Sequence, residues 1–147
     1  MVPALAGALE NPRRPAVICL PSQECTGCTE ALTRSPTPSI EGLILGQISL
    51  DYHHTLQAAS GEAAEAAREA AMRENHGKYL LVVDGSIPLG TPGYSTIAGV
   101  SHLEMLKETA AGAGEAIAVG SRAAAGGTAG RRSAPHRGGG GERTPQG

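Results

Sequence analysis

The chain has no tryptophan and no phenylalanine, and only three tyrosines among its 147 residues. A core without large rings must be assembled from Leu, Ile, Val and Ala, which bury less apolar area per residue than aromatics do. Modest stability alone, or dependence on a partner, is the expectation. Cysteine is scarce too. Three thiols cannot make an even disulfide framework, and a chain of this length needs no covalent staples, so reduced thiols or metal ligation are the expected uses. No apolar run approaches the ~20 residues needed to cross a bilayer. The formal net charge of -2 at pH 7 supplies neither the basic face of a nucleic-acid binder nor a polybasic membrane patch. Arg13-Arg14 invites comparison with a twin-arginine leader, but the apolar stretch that such a leader requires does not follow. As written, the chain carries no export address and reads as cytoplasmic. Its size allows one domain at most.

What is present is alternation. Residues 1–14, with Pro3, Gly7, Pro12 and the basic pair, show no sustained period and predict a flexible lead-in. An apolar run at 16–20 predicts a first strand. A short helix at 29–33 is stopped by Pro36 and Pro38, and Ser39 is placed to cap a helix over 40–45. Residues 47–52 predict a second strand. The stretch 61–75 is rich in Ala, Glu and Arg, with Glu65/Arg68 and Glu69/Arg73 at pairing distances and Gly77 as its stop, and predicts the firmest helix of the chain. Within a third strand at 78–84, Tyr79-Leu80-Leu81-Val82-Val83 is a continuous apolar run of the kind buried on both faces of a parallel sheet. Residues 85–100 are filled with Gly, Pro and Ser and predict a loop. Ser101 then caps a helix to about residue 111, and 115–120 predict a fourth strand. Strands alternating with helices imply right-handed crossovers and a flavodoxin-like three-layer α/β domain with a parallel sheet, here incomplete.

Chemistry concentrates at Glu24-Cys25-Thr26-Gly27-Cys28, where the first strand runs out. Two thiolates separated by two residues, one of them Gly, can converge on one centre; zinc sites, iron–sulfur sites and thiol oxidoreductases all use this spacing. In an open parallel sheet, ligands bind beyond the carboxyl ends of the strands. Three loops are therefore expected to meet there: residues 21–28, Asp84-Gly85-Ser86-Ile87-Pro88, and Gly120-Ser121-Arg122-Ala123. Their backbone N–H groups could donate to sulfur or to an anion. Cys19, inside the first strand, is expected to be a small buried hydrophobe. His53 and His54 point different ways on an extended chain, which argues against joint metal ligation and for structural or surface roles. His76 and His102, at helix ends, are expected to cap or to be solvated, and Met72 and Met105 to fill the core. Gly85, Gly120 and Gly126-Gly127 are expected where the backbone needs positive φ or close approach.

Read in order, Gln23-Glu24-Cys25-Thr26-Gly27-Cys28-Thr29-Glu30, Ile48-Ser49-Leu50-Asp51-Tyr52-His53, Val83-Asp84-Gly85-Ser86-Ile87-Pro88 and Val119-Gly120-Ser121 closely resemble the small subunit of [NiFe] hydrogenases over residues 15–127. The resemblance implies the flavodoxin-like, proximal-cluster domain of that subunit. Its function would be an electron relay in H2 oxidation, between the nickel–iron centre of a large-subunit partner and a downstream electron acceptor. Neither nucleic acid nor a membrane span of its own is implied. The implied cofactor is a [4Fe–4S] cluster whose first two ligands fall on Cys25 and Cys28. Glu24, Thr26, Gly27, Asp84 and Ser121 would lie beside it at the subunit interface, with Asp84 standing where the family usually has Glu. The related cluster-bearing subunit of respiratory complex I usually has tandem cysteines at the Cys25 position; Thr29-Glu30 and Asp51-Tyr52-His53 fit hydrogenases better. Family members are often exported to the periplasm or the membrane by a twin-arginine signal, so the resemblance leaves the compartment open.

One departure matters. The family's third ligand lies in a Gly-Ser-Cys-Ala pattern, whereas this chain reads Gly120-Ser121-Arg122-Ala123, and a guanidinium cannot replace a thiolate. No cysteine follows Cys28, so the chain offers two of the four thiolates that a [4Fe–4S] cluster normally requires. From Thr128 the composition turns to Gly, Arg, Pro and Ser, with Arg131, Arg132, Arg137 and Arg143 against the single acid Glu142, which predicts a disordered tail over 128–147. Without interleaved aromatics it makes a poor RNA-binding arm. The loss of family pattern near Arg122 predicts a frameshift or truncation in a GC-rich gene, an explanation that resequencing the locus and finding this frame would remove. Three functions compete at this point. The first is a hydrogenase electron-transfer subunit, with the isolated fragment inactive. The second is a CxxC thiol–disulfide oxidoreductase, weakened by the prolines that shorten the helix after Cys28. The third is an inactive remnant that at most occupies a partner's interface.

Overall fold

The computed structural model describes residues 14–89 and 93–125. The expected lead-in, apart from Arg14, and the expected tail lie outside the described residues. Strands β1 (Ala16–Pro21), β2 (Ser49–His53), β3 (Leu80–Asp84) and β6 (Glu115–Val119) form a four-stranded parallel sheet in the order β2-β1-β3-β6. A two-stranded antiparallel hairpin, β4 (Thr96–Ile97) and β5 (Val100–Ser101), stands apart from it. The helices are α1 (Gly27–Thr33), α2 (Ile40–Gly42), α3 (Gly61–Glu74), α4 (His102–Ala111) and α5 (Gly120–Ala125). The mixed α/β architecture with a parallel sheet is the one that the sequence alternation requires.

Burial follows position in the sheet. β1 has a strand on either side and is buried along its whole length. Pairing runs from Val17 opposite Leu80 to Pro21 opposite Asp84, and from Leu80 opposite Glu115 to Asp84 opposite Val119. Because the pairing is parallel, Pro21, Asp84 and Val119 finish level with one another. The loops that follow them must leave from one edge.

The core is built from Ile18, Leu20, Tyr52, Tyr79, Leu81 and Met105, with Ala64 and Ala71 of α3 lying close against the sheet. Met72 packs on it from α3. Two of the three tyrosines are therefore spent in the interior, and each needs a partner for its hydroxyl. The Tyr79 O–H donates to the Thr109 carbonyl, and the Tyr52 O–H donates to Glu65 (2.6 Å). Arg68 is buried on α3, but its charge is paired. It reaches Glu65 (3.0 Å), Glu108 of α4 (3.1 Å) and the Thr109 hydroxyl (3.2 Å), so two helices are tied by one guanidinium.

Local structure departs from the sequence expectation in several places, the third strand for one beginning at Leu80 rather than 78. α1 starts at Gly27 rather than 29, because Thr26 adopts a left-handed conformation (φ 63°) that turns the chain into the helix early. The helix capped by Ser39, which accepts from the Gly42 N–H, passes at Leu43–Gln47 into a π-helical turn instead of continuing as an α-helix. The second strand sits at 49–53 rather than 47–52. The segments read as loop around 96–101 and after 120 contain the hairpin and α5. Ser101 caps α4 as expected, in a reciprocal capping box with Glu104.

Candidate functional site

The three segments expected to converge do so, the third as the start of α5 rather than as a loop. The Ser22 N–H donates to the Asp84 carbonyl (2.7 Å), and Gln23 and Ser86 exchange both backbone hydrogen bonds (3.1 Å each), locking the first loop to the second. Gly85, at φ 83°, makes this closure possible: a Cβ there would lie 2.8 Å from the backbone of Gln23. The start of α5 closes on the second thiol. At Gly120 (φ 79°) a Cβ would fall 2.6 Å from Cys28 Sγ and 3.5 Å from Asp84 Oδ1. Only glycine lets the backbone leading to Arg122 approach Cys28 so closely.

The thiols differ in setting. Cys25 is exposed on the loop, while Cys28 is half-buried in the first turn of α1. Between them, Thr26 in its left-handed conformation donates its N–H to the Glu24 carboxylate, which folds the loop back on itself. Gly27 leaves room for the sulfur of Cys25, since a Cβ there would lie 3.2 Å from it. Asp84 is buried at the end of β3. Burial, the Asp84 charge and a hydrogen bond to Asp84 raise Cys28, with Cys25 and Glu24 adding to the effect. Glu24 is also held above the usual carboxylate range by burial and by Asp84, against opposing pulls from the Thr26 hydrogen bond and the Arg122 charge. The rim is thus acidic around two thiols, with Arg122 as a countercharge close enough to act on Glu24. Cys19, on β1, is pushed up to about 12 by burial and then by Asp84 and Glu24, which makes it the inert core thiol its strand position predicts.

A family model described as NADH ubiquinone oxidoreductase, 20 Kd subunit, matches residues 25–145. The Hydrogenase-2 small chain of Escherichia coli (strain K12) is 46% identical over 126 residues, 85% of this chain and 34% of the relative. The periplasmic [NiFe] hydrogenase small subunit of Solidesulfovibrio fructosivorans is 46% identical over 126 residues, again 85% of this chain and 40% of the relative. Among solved structures, the reduced, active Ni-Fe-Se hydrogenase from Desulfomicrobium baculatum superposes with a TM-score of 0.79 at 29% identity, over 82% of this chain and 47% of that one. The chain belongs to the [NiFe] hydrogenase small-subunit family.

It corresponds to the N-terminal part of such a subunit and spans about a third of the length of the curated relatives it matches. The family match runs to residue 145 and so includes the Gly/Arg-rich stretch that composition set apart from 128 onward. Within the hydrogenase small-subunit fold, the thiol pair sits at the carboxyl edge of the sheet, as the topology demands. The donor set does not complete a four-thiolate cluster. Arg122 follows Ser121 in the first turn of α5, Cys19 is sealed in the core, and among the described residues no group of three or more His, Cys, Asp or Glu is arranged to hold a metal ion.

The histidines behave less uniformly than their sequence positions suggest. His53 is buried and structural: it accepts from the Thr55 N–H at Nδ1 (3.1 Å), and its Nε2 faces the Thr29 hydroxyl of α1 (3.5 Å). His54 joins Pro21 to Tyr52, with Nδ1 3.2 Å from the Pro21 carbonyl and Nε2 2.7 Å from the Tyr52 hydroxyl. The expectation that His102 caps or is solvated is corrected. It is only 9% exposed, stacks on His54 with ring centroids 6.3 Å apart, contacts Ser95 Oγ through Nδ1 (2.5 Å), and has no hydrogen-bond partner at Nε2 among the described residues. The Ser101 hydroxyl already caps α4, so the imidazole is free to turn inward. A cavity of about 320 Å3 opens between the hairpin and α4, lined in part by Pro88, Tyr94, Ser101, Glu104 and Lys107; neither thiol of the Cys25–Cys28 pair nor Glu24, Asp84 or Arg122 lines it. Among the described residues no helix is long and apolar enough to cross a membrane.

Proposed function

We propose that this chain is the thiol-bearing, proximal-cluster segment of the electron-transfer subunit of a [NiFe] hydrogenase, residues 15–127 forming the domain that faces a large subunit. One observation carries the reading. A Cβ at Gly120 would fall 2.6 Å from Cys28 Sγ, so the start of α5, which carries Arg122 where the resemblance places the third ligand, packs directly on the second thiol. In such a subunit a [4Fe–4S] cluster supplies one-electron transfer. Cys25 and Cys28 can provide two thiolates, and the remaining ligands must come from outside the described residues. What the chain itself does is structural and electrostatic. Thr26 and Glu24 shape the loop, Gly85 brings the second loop and Gly120 the start of α5 against it, and Arg122 offsets the charge of Glu24.

The test is iron and acid-labile sulfide content, with the EPR spectrum, after anaerobic reconstitution of the full chain beside a Cys25→Ser/Cys28→Ser double variant. About four irons per chain, abolished in the double variant, support a relay completed by external ligands. Iron near zero in the parent chain, regained when Arg122→Cys restores a third thiol, assigns the loss to position 122 and reads the isolated chain as an inactive segment. Iron near zero in both removes the relay reading.

A further inference from the structure

The mismatch between the donor set and a four-thiolate cluster has its own chemistry. We propose that Cys25 and Cys28 form a reversible two-electron thiol–disulfide couple that exchanges with low-molecular-weight disulfides of the glutathione type. This goes beyond the electron-relay reading and does not require a cluster.

The geometry separates the two roles such a couple needs. Cys25 is exposed on the loop and open to a small disulfide, whereas Cys28 is half-buried three residues later, in the first turn of α1, with the Gly120 backbone against its sulfur. The left-handed turn at Thr26, held by the Glu24 carboxylate, curls the intervening loop, and Gly27 keeps side-chain bulk away from the Cys25 sulfur. Among the described residues no other bonding partner for the two sulfurs is at hand. Position 122 carries a cation that cannot ligate or bond to sulfur, Cys19 is buried inside β1, and among the described residues no third metal-binding donor joins the pair. A thiol pair at this spacing with no third ligand has its own partner as the nearest bonding choice.

The exchange balances without further reactants. The Cys25 thiolate attacks one sulfur of the small disulfide, forms a mixed disulfide and expels one small thiolate. Cys28 then gives its proton to solvent and attacks Cys25 Sγ, closing the Cys25–Cys28 bond and expelling the second small thiolate. Two electrons leave the protein pair and reduce one disulfide to two thiols, which take up the two protons released.

The experiment uses the full chain, purified without metal and titrated through graded ratios of reduced glutathione to glutathione disulfide. Acid quenching, alkylation and intact mass then count the free thiols. The expected result is a single transition from three alkylatable thiols to one, with Cys19 left free and no glutathione retained. Cys28→Ser should stop at a glutathione adduct on Cys25, while circular dichroism shows the fold unchanged. Three thiols remaining free at every ratio overturn the proposal, as does accumulation of the mixed disulfide in the parent chain. Failure here is read from thiol counts in metal-free protein and failure of the relay from iron in reconstituted protein, so the two are distinguishable.

Discussion

At Gly120 two separate requirements fall on one residue, and they can be measured apart. Its φ of 79° disfavours any L side chain, and its missing Cβ leaves room for Cys28 Sγ. Gly77, at φ 76°, has the first requirement without the second, because nothing lies within 4 Å of its Cβ position. Gly77→Ala should therefore cost the backbone term alone, about 1 kcal/mol. Gly120→Ala should cost that plus the displacement of Cys28, about 2–3 kcal/mol in all. Urea unfolding of the two variants side by side checks the difference; equal losses would mean that the close approach to Cys28 carries no energy. Much at this scale was legible in the sequence. Gly85 and Gly120 were identifiable as turn glycines after strands, Cys19 as core, and Cys25 and Cys28 as a thiol pair just beyond the first strand. The inward turn of His102 was not, because what holds it, Ser95 and the ring of His54, lies seven residues away in one case and on a different loop in the other.

Elements carry the pH dependence. Burial lowers His53, His54 and His102 below the ordinary imidazole value of 6.5, so each is neutral in the fold and more easily protonated once unfolded. His54 faces Glu65, Arg68, His53 and Tyr52 and stacks on His102, while His53 also feels Asp84; the carboxylates partly offset the burial, and for His54 the Arg68 charge adds to it. The sign follows. Above about pH 6.5 both states are neutral and nothing is lost, but as pH falls through that value the unfolded chain takes up protons first, and stability declines until the folded imidazoles protonate as well. The urea midpoint should therefore drop between pH 7 and pH 5, and His102→Gln should make the drop shallower by removing one of the three contributors. An unchanged slope in the variant would exclude His102 from the effect. Element positions were legible where a local rule decides them, as with the Ser39 and Ser101 caps and the Ala-rich α3. They were illegible where only the tertiary fold decides: the π-helical turn after α2, the hairpin in a Gly/Pro/Ser-rich segment, and the six-residue α5.

For the whole molecule, the comparison of β1 with β6 shows what a sequence pattern leaves open. Both are short apolar strands, yet β1 is buried throughout and Glu115–Val119 is largely exposed, with Ile117 at 48%. The difference is place. β1 has β2 and β3 beside it, whereas among the described residues β6 pairs only with β3 and its outer edge meets no strand. An apolar strand at an open edge offers unpaired N–H and C=O groups to another chain. Ile117→Lys places a charge on that edge at little expense to the fold, within about 0.5 kcal/mol, because the side chain is already half in water. Leu81→Ala removes a fully buried side chain from β3 next door and should cost about 3 kcal/mol. Sedimentation velocity should then show less self-association for Ile117→Lys at equal concentration, with its urea midpoint close to that of the parent chain. If Ile117→Lys instead destabilised the fold as Leu81→Ala does, β6 would have to be covered in solution, and the open edge would not be a property of the folded chain.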